Sequence, residues 1–365
     1  MNLLSKLDRY IIKKYMGTFI FTIVMITMIA IAIDFFEKVD KFLKDTVTLH
    51  EIVFDYYLNF IPWINGLLWP IFVLISVIFF TSRMASDSEI VAMLSAGMSY
   101  RRIMRPFVIS SVILASLLWI GRNYLIPQCT KVKNEFTSIH LKKSSRKALD
   151  DNTHFYLNPQ EKIYIRYFRK SDSTAQNFIL ERFDEDSQLA FVLKARKLRY
   201  LSPPNNWRLE DYEYRKIEGM NEQLVLSHGG KLDTTFNFTP ADFIRYKNQM
   251  EMMTTTDLRQ FIQQEQERGI DTAKKYKTEL YGRTADPFTI IIVTLIGLAI
   301  ASRKVRGGMG LHLAAGVILG SAYVILSRFA MTFAINLDMP AMLGAWIPNI
   351  VFGVIAFFLI RGAQK

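Results

Sequence analysis

Cysteine is almost missing from this sequence: Cys129 is the only one in 365 residues. An intrachain disulfide is excluded, so any folded part outside a membrane must be stable without a covalent staple. Nucleotide-binding chemistry is missing too. There is no G-x-x-x-x-G-K-[ST] loop, and "GGKLD" at 229–233 has the wrong spacing to cradle phosphates. No H-E-x-x-H pair and no Cys/His spacing of a metal site occurs, and the five histidines (His50, His140, His154, His228 and His312) are scattered. Neither a metal nor another cofactor is expected on this chain. A G-x-S-x-G elbow is also absent. The serines beside Asp87 in "SDSE" read better as a helix start than as a nucleophile with its base. No nucleophile–base pair announces itself, which leaves an enzyme in the membrane open on motifs alone.

What is abundant is apolar sequence. Half of the residues are hydrophobic, and they fall in clumps rather than along one continuous pattern. Several clumps reach the roughly 20 residues needed to cross a bilayer core of about 30 Å. Six spans are expected, near 15–36, 57–81, 105–127, 281–302, 309–333 and 340–360. The first run, "GTFIFTIVMITMIAIAI", is long and is followed by no small-residue cleavage site, so it reads as a span and not as a removable signal.

Charge orients the spans. The N-terminus, the loop after span 2, the loop after span 4 and the C-terminus together hold thirteen Lys and Arg against three acids. The loop 37–56 holds three Lys against five acids. Positive residues accumulate on the cytoplasmic side, so both termini and both basic loops are expected there, which six crossings permit. The net charge of +12 then reflects topology, and nucleic acid is not needed as a partner to explain it.

Between spans 3 and 4 lies a polar insert of strand-like runs: "KIYIRYF" at 162–168, "NFILERF" at 177–183, "LAFVLKARKLRYL" at 189–201, "WRLEDYEY" at 207–214 and "LVLSHGG" at 224–230. Turn signals at Asn158-Pro159, 171–173, 203–206 and Gly229-Gly230 separate them. Short regular strands with turns between them predict an antiparallel sandwich, jelly roll or barrel. The expected organisation is membrane helices 1–3 over 1–127, the β domain over 128–253, a helical connector over 254–280 and membrane helices 4–6 over 281–365. In the connector Thr256 is the expected N-cap, with Leu258, Phe261 and Ile262 on one face. Gly269 is expected to end that helix, and a second helix is expected to start near Asp271.

"SRMASDSEIVAMLSAGMS" at 82–99 carries its own amphipathic helix in the loop after span 2. Ser86 and Glu89 have capping-box spacing, Asp87 and Glu89 suit the positive helix end, and Gly97 supplies a stop. The expected helix is Asp87–Ala96, with an apolar stripe of Ile90, Met93, Leu94 and Met98. A helix lying in the lipid interface would carry Lys and Arg on its polar face, and this one is acidic there. Docking into a groove of another protein is the expectation.

"RMASDSEIVAMLSAGMS" resembles the coupling helix of the lipopolysaccharide-export permeases, the LptF/LptG family. Further similar pieces stand in the right order: "LDRYIIKKYMGTF" at the start, "DLRQFIQQEQERGIDTAKKYKTELYGRTADPF" into span 4, "IASRKVRGGMG" after it and "AMLGAWIPNIVFGVIAFFLI" in span 6. The β insert is similar only in position and strand pattern. The resemblance implies a transmembrane subunit of an ABC transporter in the bacterial inner membrane, with a periplasmic β-jellyroll-like domain. It implies four partners: a second permease subunit, a dimer of a separate cytoplasmic ATPase, a periplasmic jellyroll bridge protein and lipopolysaccharide. ATP hydrolysis would then sit on another chain, and the ATPase-coupling residues would be Arg83, Asp87, Glu89, Ile90, Met93 and Leu94. The family's acidic coupling position falls on Glu89.

Family members also hold lipopolysaccharide phosphates with basic residues near the outer end of span 1. Here that stretch reads "IDFFEKVDKFLKD", in which Lys38, Lys41 and Lys44 alternate with Asp34, Glu37 and Asp40. Charges inside membranes are costly and mark sites or ion pairs. Arg122 and Arg328 join the three lysines as candidates for the lipid headgroup, although Arg122 could instead snorkel to the surface. Arg283 and Asp286 are one helical turn apart and expected to pair. Trp63, Trp69, Trp119 and Trp346 read as interface anchors or packing. The rival reading is a membrane-anchored sensor or binding protein whose external β domain takes a ligand and which needs no ATPase.

Overall fold

The computed structural model describes all residues except 1–4, 44–46, 142–152, 159, 170–171, 185–187, 204, 220, 237, 241–248, 268–272, 304–307, 338 and 364–365. Among the described residues six helices are long and apolar enough to cross a membrane. They are α1 (Lys6–Phe42), α2 (Glu51–Ser86), α4 (Tyr100–Leu141), α6 (Ala273–Ala301), α7 (Gly308–Asn336) and α8 (Ala341–Ala363). Two shorter helices are α3 (Glu89–Ser95), between α2 and α4, and α5 (Thr255–Glu267), before α6. An even number of crossings puts the start of α1, the end of α8 and α3 on one side of the bundle, called the terminal side below.

The helices overrun the expected spans. α4 continues 14 residues past 127, so 128–141 is helical and does not belong to the strands. At about 1.5 Å per residue its 42 residues reach roughly 63 Å, twice a bilayer core. Hydropathy marks the part that lies in lipid, not where a helix ends. Widened π-type turns at Glu51–Tyr57, Gly121–Leu125 and Thr137–Leu141 interrupt α2 and α4. Such turns are rare and gather at functional positions.

The chain divides into two compact units. One comprises residues 1–141, 250–258 and 274–365, and the other 142–249 and 259–273. The first is organised around α2. Between Phe72 and Ala85 this helix is buried on nearly every side, with Phe72, Val73, Val77 and Ile78 almost fully enclosed. A helix apolar all round belongs in a core. Ile11, Tyr15 and Phe19 of α1, Phe107 and Leu114 of α4, and Ile290 and Val293 of α6 complete that core.

The second unit is an antiparallel sheet of strands β1 (Thr153–Asn158), β2 (Glu161–Ile165), β3 (Tyr167–Arg169), β4 (Thr174–Phe183), β5 (Leu189–Ser202), β6 (Asn206–Glu218) and β7 (Asn221–Thr235). The order β1-β2-β4-β5-β6-β7 is sequential, with β3 also on β4. Alternate residues build its core: Ile163, Ile165, Phe178, Leu180, Leu193, Ala195, Leu198, Trp207 and Leu209. Phe238 closes over Trp207, and its carbonyl accepts the indole N–H at 3.1 Å.

Three local expectations need correction. "KIYIRYF" is two strands broken at Arg166. Gly229-Gly230 is no turn but lies inside β7. Gly229 has φ +73°, opposite it Asp211 has φ +53°, and the Gly229 N–H donates to Asp211 Oδ1 at 2.7 Å. That is a bulge shared by β6 and β7, where the pairing register also shifts. In the connector the cap is Thr254, not Thr256. Its hydroxyl accepts from the Asp257 N–H at 3.3 Å and donates to Asp257 Oδ2 at 2.7 Å. Leu258 and Ile262 are buried on one face of α5 as expected, and Phe261 is half-buried. Gly269 and Asp271 lie outside the described residues.

Candidate functional site

On the terminal side, α3 begins at Glu89, two residues later than expected. Ser86 ends α2 and Asp87 caps it. Ser88, the N-cap of α3, is left-handed (φ +59°) and its side chain makes no capping bond. The capping box read from Ser86 and Glu89 is therefore not formed: α2 runs on into the charged stretch and leaves a two-residue hinge. The stop is as expected. Gly97, at φ +83°, donates its N–H to Leu94 O at 3.0 Å, and Met98 N–H reaches Met93 O at 3.2 Å. These two bonds make a Schellman cap.

The apolar stripe splits in two. Ile90 and Met93 are buried in the chain's own core and Met98 packs against it. Val91 and Leu94 face outward. The outward side of this region thus presents Val91, Leu94, Arg83 and Asp87, while Ile90 and Met93 hold the helix down. Arg83 and Asp87 are exposed and 3.9 Å apart, a weak ion pair that a partner can break. Glu89 is partly exposed.

The base under α3 is tied by polar contacts that sequence spacing does not reveal. Arg102, at the start of α4, grips Asp8 with two bonds of 2.7 and 2.8 Å and Ser5 Oγ with one of 3.0 Å. Ser5 and Asp8 form a capping box that starts α1. The Tyr100 hydroxyl donates to Ser302 Oγ at 3.3 Å, and Ser82 Oγ lies 2.6 Å from His312 Nδ1.

On the opposite side the predicted headgroup residues are found in different settings. Lys38 is paired with Asp34 on the previous turn and bonded to the Tyr56 hydroxyl. Tyr56 also donates to Asp34, at 3.0 Å. Lys41 is exposed, and Lys44 lies outside the described residues. Arg122 does not snorkel free. Its Nε donates to Asp286 at 2.9 Å, and Glu279 stands 3.9 Å from another of its nitrogens. The Arg283–Asp286 pair is therefore not formed. Arg283 is buried and reaches Glu279 (3.2 Å), Thr255 Oγ1 (3.1 Å) and the Met250 carbonyl (2.8 Å). Thr255 in turn donates to Asn123 Oδ1 at 2.5 Å. The widened turn Gly121–Leu125 thus presents Arg122 to one partner and Asn123 to another. Arg328 is exposed on α7.

One cation was missed. Lys133 of α4 is buried, and its ammonium stands 3.1 Å from the centre of the Trp63 ring. Among the described residues no carboxylate lies within ion-pair distance of it. The signal was a Lys at helical spacing in a stretch assigned to the β domain. Trp63 is thus a cation platform, whereas Trp69 packs on Phe19 and Trp346 on Phe288. Glu251, just after the sheet unit, is half-buried, and burial pushes its carboxyl above the ordinary value. Glu279 adds to that rise, while Arg122, Lys133 and Arg328 oppose it.

This arrangement belongs to a recognisable line of proteins. The profile of the family described as "Lipopolysaccharide export system permease LptF/LptG" matches residues 9–362. The chain belongs to the LptF/LptG family. Relatives named lipopolysaccharide export system permease protein LptG are 21% identical in Haemophilus influenzae (98% of this chain, 99% of the relative) and 19% identical in Escherichia coli K12 (97% of each). At that identity the LptF/LptG match runs through both membrane halves and the insert alike. It does not favour a stand-alone sensor.

Proposed function

We propose that this chain couples ATP hydrolysis on a separate cytoplasmic ATPase to the extraction of lipopolysaccharide. The chain is a multi-pass permease subunit of the lipopolysaccharide transporter in the inner membrane. In our reading both termini and α3 face the cytoplasm, and the β unit is periplasmic. An ATPase dimer docks on Val91 and Leu94, with Arg83, Asp87 and Glu89 framing them. A second permease subunit completes the path, and a periplasmic jellyroll bridge receives the lipid. At the opposite side Lys38, Lys41, Lys133, Arg122 and Arg328 form the basic region for the headgroup phosphates. A lysine acts there as a point charge and an arginine can bind two oxygens at once. Lys44 belongs to the same proposal by sequence.

The observation that carries this reading is α3: a capped helix with an apolar outward patch, fixed to the bundle core by Ile90 and Met93. The test is purification of the chain with its ATPase and permease partner, followed by lipopolysaccharide release from proteoliposomes. Release that requires ATP and the ATPase supports the proposal. Release without either, or a chain that captures no ATPase, overturns it.

A further inference from the structure

α2 ends directly in the hinge of α3, and most residues of its terminal-side half, from Phe72 to Ala85, are buried. Its neighbours approach it unusually closely. A Cβ on Gly297 of α6 would run into Val77, and one on Gly316 of α7 into Ile78. One on Gly320 would stand 3.2 Å from Leu74. Glycines let helices meet at backbone distance in membranes. Such contacts are apolar, and helices can slide along them. The exception is Ser82 Oγ and His312 Nδ1, 2.6 Å apart, each side chain nearly inaccessible (3% and 4%). It lies one turn before the end of α2 and near the start of α7. Among the described residues His312 Nε2 has no partner, so the ring is held on one side only.

We propose that Ser82 and His312 are positioning residues for coupling: their bond locks α2 to α7, so that a displacement of α3 moves α7 with it. This rests on the reading that α3 receives the ATPase. The chain order supports the direction of transfer. Force on α3 enters α2 through Asp87 and Ser88, and between Phe72 and Ala85 α2 is buried on nearly every side. The bond prevents α2 from turning or sliding against the glycine face of α7. Breaking it leaves the packing and the docking patch intact and lets the stroke dissipate.

The readout is ATP hydrolysed per lipopolysaccharide released by the reconstituted complex. Interhelical hydrogen bonds in membranes are worth factors of about threefold to twentyfold in an equilibrium. Ser82→Ala and His312→Ala should each raise that ratio at least about threefold, with ATPase capture and basal hydrolysis unchanged. The double variant should be no worse than either single one. His312→Asn, which keeps a polar atom near the Nδ1 position, should restore most of the coupling. An unchanged ratio in every variant overturns the proposal. So do additive losses, or a rise that merely parallels loss of assembly. A wild-type chain that captures no ATPase instead sinks the underlying reading, so the two failures are distinguishable.

Discussion

Lys38 and Lys133 are both lysines at the same side of the bundle, yet they are held in opposite ways. Lys38 is compensated: Asp34 is nearly inaccessible and would be left as a buried, unpaired carboxylate without it. Removing one member of such a pair typically costs about 3–5 kcal/mol, and removing both is close to neutral. We expect Lys38→Gln to lower the melting temperature of the detergent-solubilised protein and Lys38→Gln/Asp34→Asn to recover it. If Lys38 also serves the lipid, the double variant should still show reduced lipid stimulation of the complex's ATPase. Recovery of both would reduce Lys38 to a structural role. Among the described residues Lys133 has no ion-pair partner, and the Trp63 face holds it at about 1 kcal/mol. Lys133→Gln should therefore keep stability within about that margin while lipid stimulation falls several-fold. A large loss of stability would show Lys133 to be structural. The sequence displayed the charges but not their partners. Arg283 and Asp286 share a helix turn and still bond elsewhere, because Arg122 and Thr255 arrive from distant parts of the chain.

At the scale of an element, α3 separates what patterning can and cannot say. Apolar spacing located a short helix and Gly97 located its end. The same spacing could not divide the stripe between the chain's own core and a partner, since both faces are apolar. The structure shows which stripe residues are buried and which are exposed, and this has consequences. Ile90→Asp would bury a lone charge in the core and should destabilise the chain by at least about 3 kcal/mol. Leu94→Asp, at a position 42% exposed, should change stability by no more than about 0.5 kcal/mol. It should instead weaken ATPase capture by roughly tenfold, as expected for loss of an apolar anchor. Glu89→Lys should reduce capture with stability unchanged. Thermal melting and pull-down of the ATPase together check all three. Equal capture by Leu94→Asp and wild type would move the docking surface away from α3. β7 shows the reverse error: Gly229-Gly230 looks like a turn, but the Asp211 carboxylate opposite supplies the acceptor that turns it into a bulge.

At the scale of the whole molecule, six crossings and an all-β insert were legible because the bilayer fixes helix length and alternation fixes strands. What was not legible is how the chain returns from the sheet to the membrane. The structure answers with Arg283, Thr255 and Asn123, which fasten residues 250–255 to α4 and α6. Glu251 sits in this return, with its carboxyl raised by burial. A carboxyl raised in the folded state contributes stability at low pH, where it is protonated in both states, and loses it as pH rises through the raised value. The fastening should thus loosen as pH rises through that raised value, with Glu279 reinforcing the effect and Arg122, Lys133 and Arg328 limiting it. Limited proteolysis of the intact chain across 249–255 reads this directly. Cleavage should be faster at pH above the raised Glu251 value than below it in the wild type, after correction for the protease's own pH profile. Glu251→Gln should remove most of that difference. Arg283→Met should make the segment readily cut at every pH, since three acceptors (Glu279, Thr255 and the Met250 carbonyl) lose their donor at once. A wild-type segment that resists cleavage equally at both pH values would show that Glu251 does not control the return, and an Arg283→Met variant as resistant as wild type would show that Arg283 does not hold it.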